Sequence, residues 1–373
     1  MSGFLFNDLR RGPAGLGLLG ELGSPSSQSG LGLSNRLVSR SPQSGLGLLS
    51  GLCHPSLLDA PGLPDGVAFR KPDTYTFTKW RFVGPRFNQL LENLKITIDQ
   101  AGDGEVKYRG VVACLNRDYR NNSNLIDNGV LIGSWAKRTR VRPSRDIDII
   151  FVLPWETHLQ FQKRTGNIQS QILQEMRSVL RVSYPATDIR GDRQVVVIPF
   201  NTCKIEIAPA FHRSGGGYFV CDTNNGGRYK HCDPSAEIAA LDRADRLSNG
   251  NVRKLTRILK QWQRHCNVPI KSFYIEALIK ELLPTLSYGG NNEFWFDWLV
   301  RDAFEHMIRR ANGYFLMPAT NEKIFLGDEW LSRARSAYLH ALYACEFERE
   351  NKEELAGEEW QKIFGTMIHK TVS

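Results

Sequence analysis

No stretch of this 373-residue chain stays apolar for the roughly 18 residues that a membrane span requires, so a membrane-spanning helix is not expected. Paired cysteines are also missing. The seven cysteines (Cys53, Cys114, Cys203, Cys221, Cys232, Cys266 and Cys345) are an odd count with no C-x-x-C pair, which argues against a disulfide framework and for a reducing compartment. The first residues carry Asp8, Arg10 and Arg11 and no continuous apolar segment, so a secretory leader is not expected and the chain reads as cytoplasmic. Acids are outnumbered: the net charge of +9 favours polyanionic partners, either nucleoside triphosphates or nucleic acid. Charge alone does not choose between them.

What the chain does have is concentrated in residues 131–154, LIGSWAKRTRVRPSRDIDIIFVLP. The period of two along a strand puts Asp146 and Asp148 on one face and leaves Ile147, Ile149 and Phe151 for burial on the other. Two carboxylates held side by side repel each other. A hard divalent ion such as Mg²⁺ makes the pair favourable, because it prefers carboxylate oxygens and bridges them to substrate phosphates. Upstream, Gly133 permits close backbone approach, and Ser134 can offer a hydroxyl and an N–H to a phosphate. In outline this is a nucleotidyl-transfer site.

Gly-Ser followed a dozen residues later by Asp-Ile-Asp resembles the active-site signature of the DNA-polymerase-β-like nucleotidyltransferases. More narrowly, GSWAKRTRVRPSRDIDI resembles the bacterial CD-NTases, relatives of cyclic GMP-AMP synthase and oligoadenylate synthetase. Residues 204–211, KIEIAPAF, resemble the strand that carries the family's third carboxylate, with Glu206 where aspartate is usual. The resemblance implies that Asp146, Asp148 and Glu206 hold two Mg²⁺ (or Mn²⁺) ions. It also implies that Lys260, on the basic helix NVRKLTRILKQWQRHC, and Ser272, leading KSFYIEALIKELL, contact the triphosphate beside Gly133 and Ser134.

The implied fold is α+β: a nucleotidyltransferase lobe with a mixed sheet over residues 62–235, bracing helix included, then a helical domain over residues 236–373, with the active site in the cleft. The implied activity condenses nucleoside triphosphates into a cyclic di- or trinucleotide messenger in antiphage signalling, read by a separate effector protein. A template-independent polymerase making RNA or linear oligonucleotides keeps the same site with another acceptor. A catalytically silent nucleic-acid sensor is the reading from another class.

Elsewhere the expectations are plainer. Residues 1–61, rich in Gly, Ser and Leu with Gly-Leu-Gly-Leu at positions 15, 30 and 45, read as a flexible tail. Apolar spacing predicts one helix over residues 77–100, begun or kinked at Pro85, and another over 106–119 ended by Asn121–Asn124. A helix is expected over 159–182, then strands over 193–200 and 202–208 with Pro209 closing the second. Lys137, Arg138, Arg140, Arg142 and Arg145 form either a cationic rim for triphosphates or nucleic acid, or a solvated loop. Residues 212–234 read as a glycine-rich segment; the resemblance implies a loop here that lines the second nucleotide pocket, where Tyr218 or Tyr229 could stack a base. Its His212, Cys221, His231 and Cys232 lack the tight pair a structural zinc needs.

Overall fold

The computed structural model describes Lys71, residues 79–143 and residues 146–372. The expected tail and Arg145 lie outside the described residues.

Where one helix was expected over residues 77–100, two helices meet end to end: α1 (Val83–Leu94) and α2 (Ile98–Arg120). Pro85 lies in the first turn of α1, where its missing N–H breaks no helical bond. The break between them is set by Thr97, whose hydroxyl accepts from Gln100 N while the Gln100 side chain accepts from Thr97 N. Helix α2 then runs straight through Gly102 and Gly104, which the sequence reading had placed between two helices. At Gly104 a Cβ would lie 2.4 Å from the Trp135 ring, so this glycine is what lets the helix lie against the sheet lobe. Asn121, in the left-handed region at φ 53°, ends α2 as the polar run suggested.

The chain continues through β1 (Gly129–Ile132), α3 (Gly133–Ala136), β2 (Asp146–Val152), α4 (Trp155–Gln162) and α5 (Ile168–Ser183). The helix expected over 159–182 is therefore interrupted. Gly166 sits at φ 86°, and Asn167 caps the new start by accepting from Ser170 N. Then come β3 (Arg190–Asp192), β4 (Val195–Pro199), β5 (Lys204–His212), β6 (Tyr218–Asp222) and β7 (Arg228–Cys232). Pro209 does not close β5. It falls where the neighbour on one edge changes from β4 to β6, so its missing N–H interrupts no pairing there.

These seven strands form one mixed sheet. Its order is β1-β2-β5-β4-β3, with β6 and β7 continuing from the distal half of β5, and only β2 and β5 run parallel. One face carries Ile147, Ile149, Phe151, Ile205 and Ile207, buried together with residues of α2 and α5. The other carries Ile150, Val152, Ala208 and Ala210 further along the same strands that bear Asp146, Asp148 and Glu206 at their starts.

The remaining chain is helical apart from one hairpin: α6 (Pro234–Leu247), α7 (Asn251–His265), α8 (Ser272–Leu282), α9 (Phe296–Arg310), β8 (Tyr314–Leu316), β9 (Lys323–Phe325), α10 (Leu331–Arg349) and α11 (Glu353–Phe364). Its core is built on Trp262, Phe296, Phe304, Trp330 and Trp360. Helix α1 packs here and not on the sheet, contributing Val83, Phe87 and Leu90. Arg86 fixes it: the buried guanidinium donates to Glu348 Oε1 at 2.7 Å and to the carbonyls of Glu353, His369 and Lys370. Among the described residues no helix is long and apolar enough to cross a membrane.

Candidate active site

The site is assembled by register. Parallel pairing sets Asp146 opposite Lys204 and Asp148 opposite Glu206, while antiparallel pairing brings Ile132, at the end of β1, beside Asp148. Asp146, Asp148 and Glu206 thus share one face at the sheet edge that leads into α3. The next residue after β1 is Gly133 at φ 60°, where a Cβ would lie 2.2 Å from Asp148 Oδ2. Only glycine fits, for the backbone conformation and the contact both exclude a side chain.

Asp148 is 2% exposed, and its Oδ1 is buried without a hydrogen-bond partner. Burial, then the charges of Glu206 and Asp146, push its pKa up to about 8, while Lys204 and Lys260 pull the other way. Burial also raises Glu206, against the opposing bond from Lys204. A buried carboxylate oxygen with no donor, between two further carboxylates, suits a cation. The cation present is Lys204, whose Nζ lies 2.6 Å from Glu206 Oε1 and 3.2 Å from Asp146 Oδ1. Burial works against its charge, yet the bonds to Glu206 and Asp146 hold its pKa above the ordinary lysine value. Among the described residues no group of three His, Cys, Asp or Glu side chains is drawn together tightly enough to hold a metal as it stands. The three acids fit a divalent ion once the ammonium moves aside.

From the helical half of the chain, Lys260 of α7 donates to the carbonyl and hydroxyl of Thr139 at 3.0 and 3.2 Å. Burial depresses its pKa to about 8. Ser272, the first residue of α8, donates to Gln263 Oε1 at 2.8 Å. Ser134 is half-buried, and its carbonyl accepts from Thr139 N at 3.0 Å. Gly133, Asp146, Asp148 and Glu206 are therefore gathered on one sheet edge, with Lys260 close enough for its charge to act on Asp148. Ser272 bonds to α7 through Gln263, and among the described residues no hydrogen bond joins it to the acids.

Among its described residues, the basic run between Ser134 and Asp146 does not present a continuous cationic rim. Lys137 is 3% exposed and bonds Glu237 of α6 and Glu276 of α8, each at 2.9 Å. Burial opposes its charge, and the two carboxylates more than offset that. Arg140 stacks on the Trp135 ring at 4.6 Å, and Arg142 donates to the Lys95 carbonyl. Of the described members only Arg138 is exposed.

The segment after His212 is a hairpin that extends the sheet, where a pocket-lining loop was expected. Tyr229 bonds His158 and packs on Phe211, and Tyr218 lies beside the His212 ring. Strand alternation puts Cys221 and His231 on one face of that hairpin and Cys232 on the other, so they do not form a metal set. Sequence reasoning missed Lys204, Thr139 and the partners of Lys137. For Lys204 the signal was present: it stands two residues from Glu206 and shares its face.

Comparison with known proteins bears on the family and the fold. Residues 83–244 match the family model of the Second Messenger Oligonucleotide or Dinucleotide Synthetase domain. A probable cyclic nucleotide synthase of Bacillus cereus (strain VD146) is 22% identical over 274 residues, 62% of this chain and 80% of the relative. The CBASS oligonucleotide cyclase CdnC of Escherichia coli (strain KTE188) is 24% identical over 184 residues, 46% of this chain and 56% of the relative. In fold, the chain is similar to the Vibrio cholerae DncV cyclic AMP-GMP synthase solved with the linear intermediate 5′-pppA(3′,5′)pG. The TM-score is 0.60 at 11% identity, covering 78% of this chain and 97% of that one.

Proposed function

We propose that this chain, a CD-NTase carrying the synthetase domain at residues 83–244, condenses nucleoside triphosphates into a cyclic di- or trinucleotide with release of pyrophosphate. The observation that carries this reading is the parallel register of Asp148 with Glu206, one strand from Gly133 and facing a lysine-bearing helix.

Asp146, Asp148 and Glu206 would hold the divalent ions, Mg²⁺ or Mn²⁺, two by family likeness. When bound, these ions supply charge neutralisation on the triphosphate and acidify the attacking ribose hydroxyl. The protein's own share is positioning and electrostatics. Gly133 lets the backbone of α3 approach the carboxylates, and the Ser134 hydroxyl and N–H bind phosphate oxygens. Lys260 Nζ, its pKa depressed to about 8 by burial, takes up full charge once a polyphosphate lies against it. Ser272 adds a hydroxyl from the start of α8. Glu206 Oε, its proton affinity raised by burial, is the group suited to accept the ribose proton.

In the cell this reading places the enzyme in the cytoplasm, in antiphage signalling through a separate effector that binds the product. The test is incubation of purified protein with four labelled nucleoside triphosphates and Mg²⁺ or Mn²⁺, then phosphatase treatment and mass spectrometry. A small phosphatase-resistant product, absent from an Asp146→Asn/Asp148→Asn variant, is expected. Lengthened RNA or linear products alone would instead identify a template-independent polymerase.

A further inference from the structure

Lys204 has no role in the chemistry described so far, yet it lies inside the acid cluster. Its position follows from the strand: residues 204 and 206 share a face, and the parallel register sets Lys204 opposite Asp146. Its ammonium bridges Glu206 and Asp146 from 2.6 and 3.2 Å. All three side chains are mostly buried, with exposures of 29%, 12% and 13%. Carboxylates this close, and partly desolvated, repel one another unless a cation joins them.

We propose that Lys204 is a built-in occupant of the divalent-metal site: its ammonium holds Asp146 and Glu206 together while no metal is bound, and a divalent ion enters only by displacing it. This rests on reading Asp146, Asp148 and Glu206 as the metal-binding acids. Lys204 is then a positioning residue. It keeps the carboxylates assembled before metal binds and sets a threshold concentration below which metal does not load. An ammonium bridging the two carboxylates and a divalent ion bound by those oxygens exclude each other, so the threshold comes from competition.

The experiment is Mn²⁺ titration of the full chain without nucleotide, followed by water-proton relaxation or calorimetry, for the wild type and for Lys204→Met and Lys204→Arg. Removing the competitor in Lys204→Met should tighten Mn²⁺ binding roughly tenfold or more, which corresponds to one ordinary interaction. Lys204→Arg keeps the charge and should stay near the wild type. In EDTA the Met variant should melt below the wild type, and saturating Mn²⁺ should close that gap. Unchanged or weaker Mn²⁺ binding by a folded Lys204→Met overturns the proposal; if Met misfolds, Lys204→Gln is read by the same criterion. An Asp146→Asn/Asp148→Asn control separates the two levels. If it binds Mn²⁺ as the wild type does, the metal-site reading fails. If it loses binding while Lys204→Met matches the wild type, only the Lys204 proposal fails.

Discussion

Gly133→Ala isolates how much of the activity depends on one missing side chain. The residue sits at φ 60°, and an added Cβ would meet Asp148 Oδ2 at 2.2 Å and Cγ at 3.0 Å. The left-handed backbone costs alanine roughly 1–2 kcal/mol. The clash adds to that, and the carboxylate must withdraw by about 1 Å to reach ordinary contact. A displacement of about 1 Å at a reacting centre costs on the order of 100-fold in rate. We therefore expect pyrophosphate release to fall about 100-fold or more, while urea denaturation shows a loss of only about 1–3 kcal/mol. Gly102→Ala is the matched control, for that exposed glycine on α2 has nothing within 4 Å of a Cβ. It should keep full activity and gain up to about 1 kcal/mol of helix stability. Gly133→Ala turning over at the wild-type rate would refute the claim that Asp148 needs this backbone approach.

Two further outcomes follow from the charges. Burial and the neighbouring carboxylates push the Asp148 pKa up to about 8, and a metal must displace that proton, so apparent Mn²⁺ affinity should rise with pH and level off above about 8. For the same reason the metal-free protein should lose stability as pH climbs from about 4, where an unfolded aspartate ionises, through about 8; thermal melts in EDTA from pH 5 to 9 read this directly. A melting temperature flat across that range would contradict it. Lys137→Met leaves Glu237 and Glu276 buried without their shared cation, and should cost roughly 3–5 kcal/mol by urea denaturation. A loss under about 1 kcal/mol would show the triad to be dispensable.

The most legible features were those where residue type and local period act alone. Asp146 and Asp148 alternate with isoleucines, and that pattern by itself puts them on the polar face of a strand. The break after Leu94 is legible in principle, since Thr97 and Gln100 form a capping box, but the apolar spacing runs on past it to Ile98. Gly104 serves close packing against Trp135, which no local rule reveals. Pro209 misled for a similar reason. Its cost depends on which neighbour pairs beside it, and that is fixed by the β6 hairpin further along the chain. Lys137 shows the general limit: it was read by its charge and its loop, but its place is decided by two glutamates 100 and 139 residues away.

The same dependence on distant partners explains how a basic loop can lie against a basic helix. From Lys137 to Pro143 the loop has no acid, and α7 presents Arg253, Lys260 and Arg264 to it. The contacts avoid the loop's charged groups. Arg253 Nε donates to the Lys137 carbonyl at 2.8 Å, Lys260 to the Thr139 carbonyl, and Arg264 to the Arg142 carbonyl at 2.5 Å. Toward the loop the helix thus donates to backbone oxygens, while Lys137, Arg140 and Arg142 of the loop are taken up by Glu237 and Glu276, the Trp135 ring and the Lys95 carbonyl, and Arg138 stays exposed. Each donated bond satisfies a loop carbonyl that has no strand or helix to serve it. Helix α7 therefore holds the segment joining Ser134 to Asp146 at three points along its length. Among the three donors, Lys260 is the one whose charge also acts on Asp148, so its bond to Thr139 is the one that nucleotide phosphates would compete for.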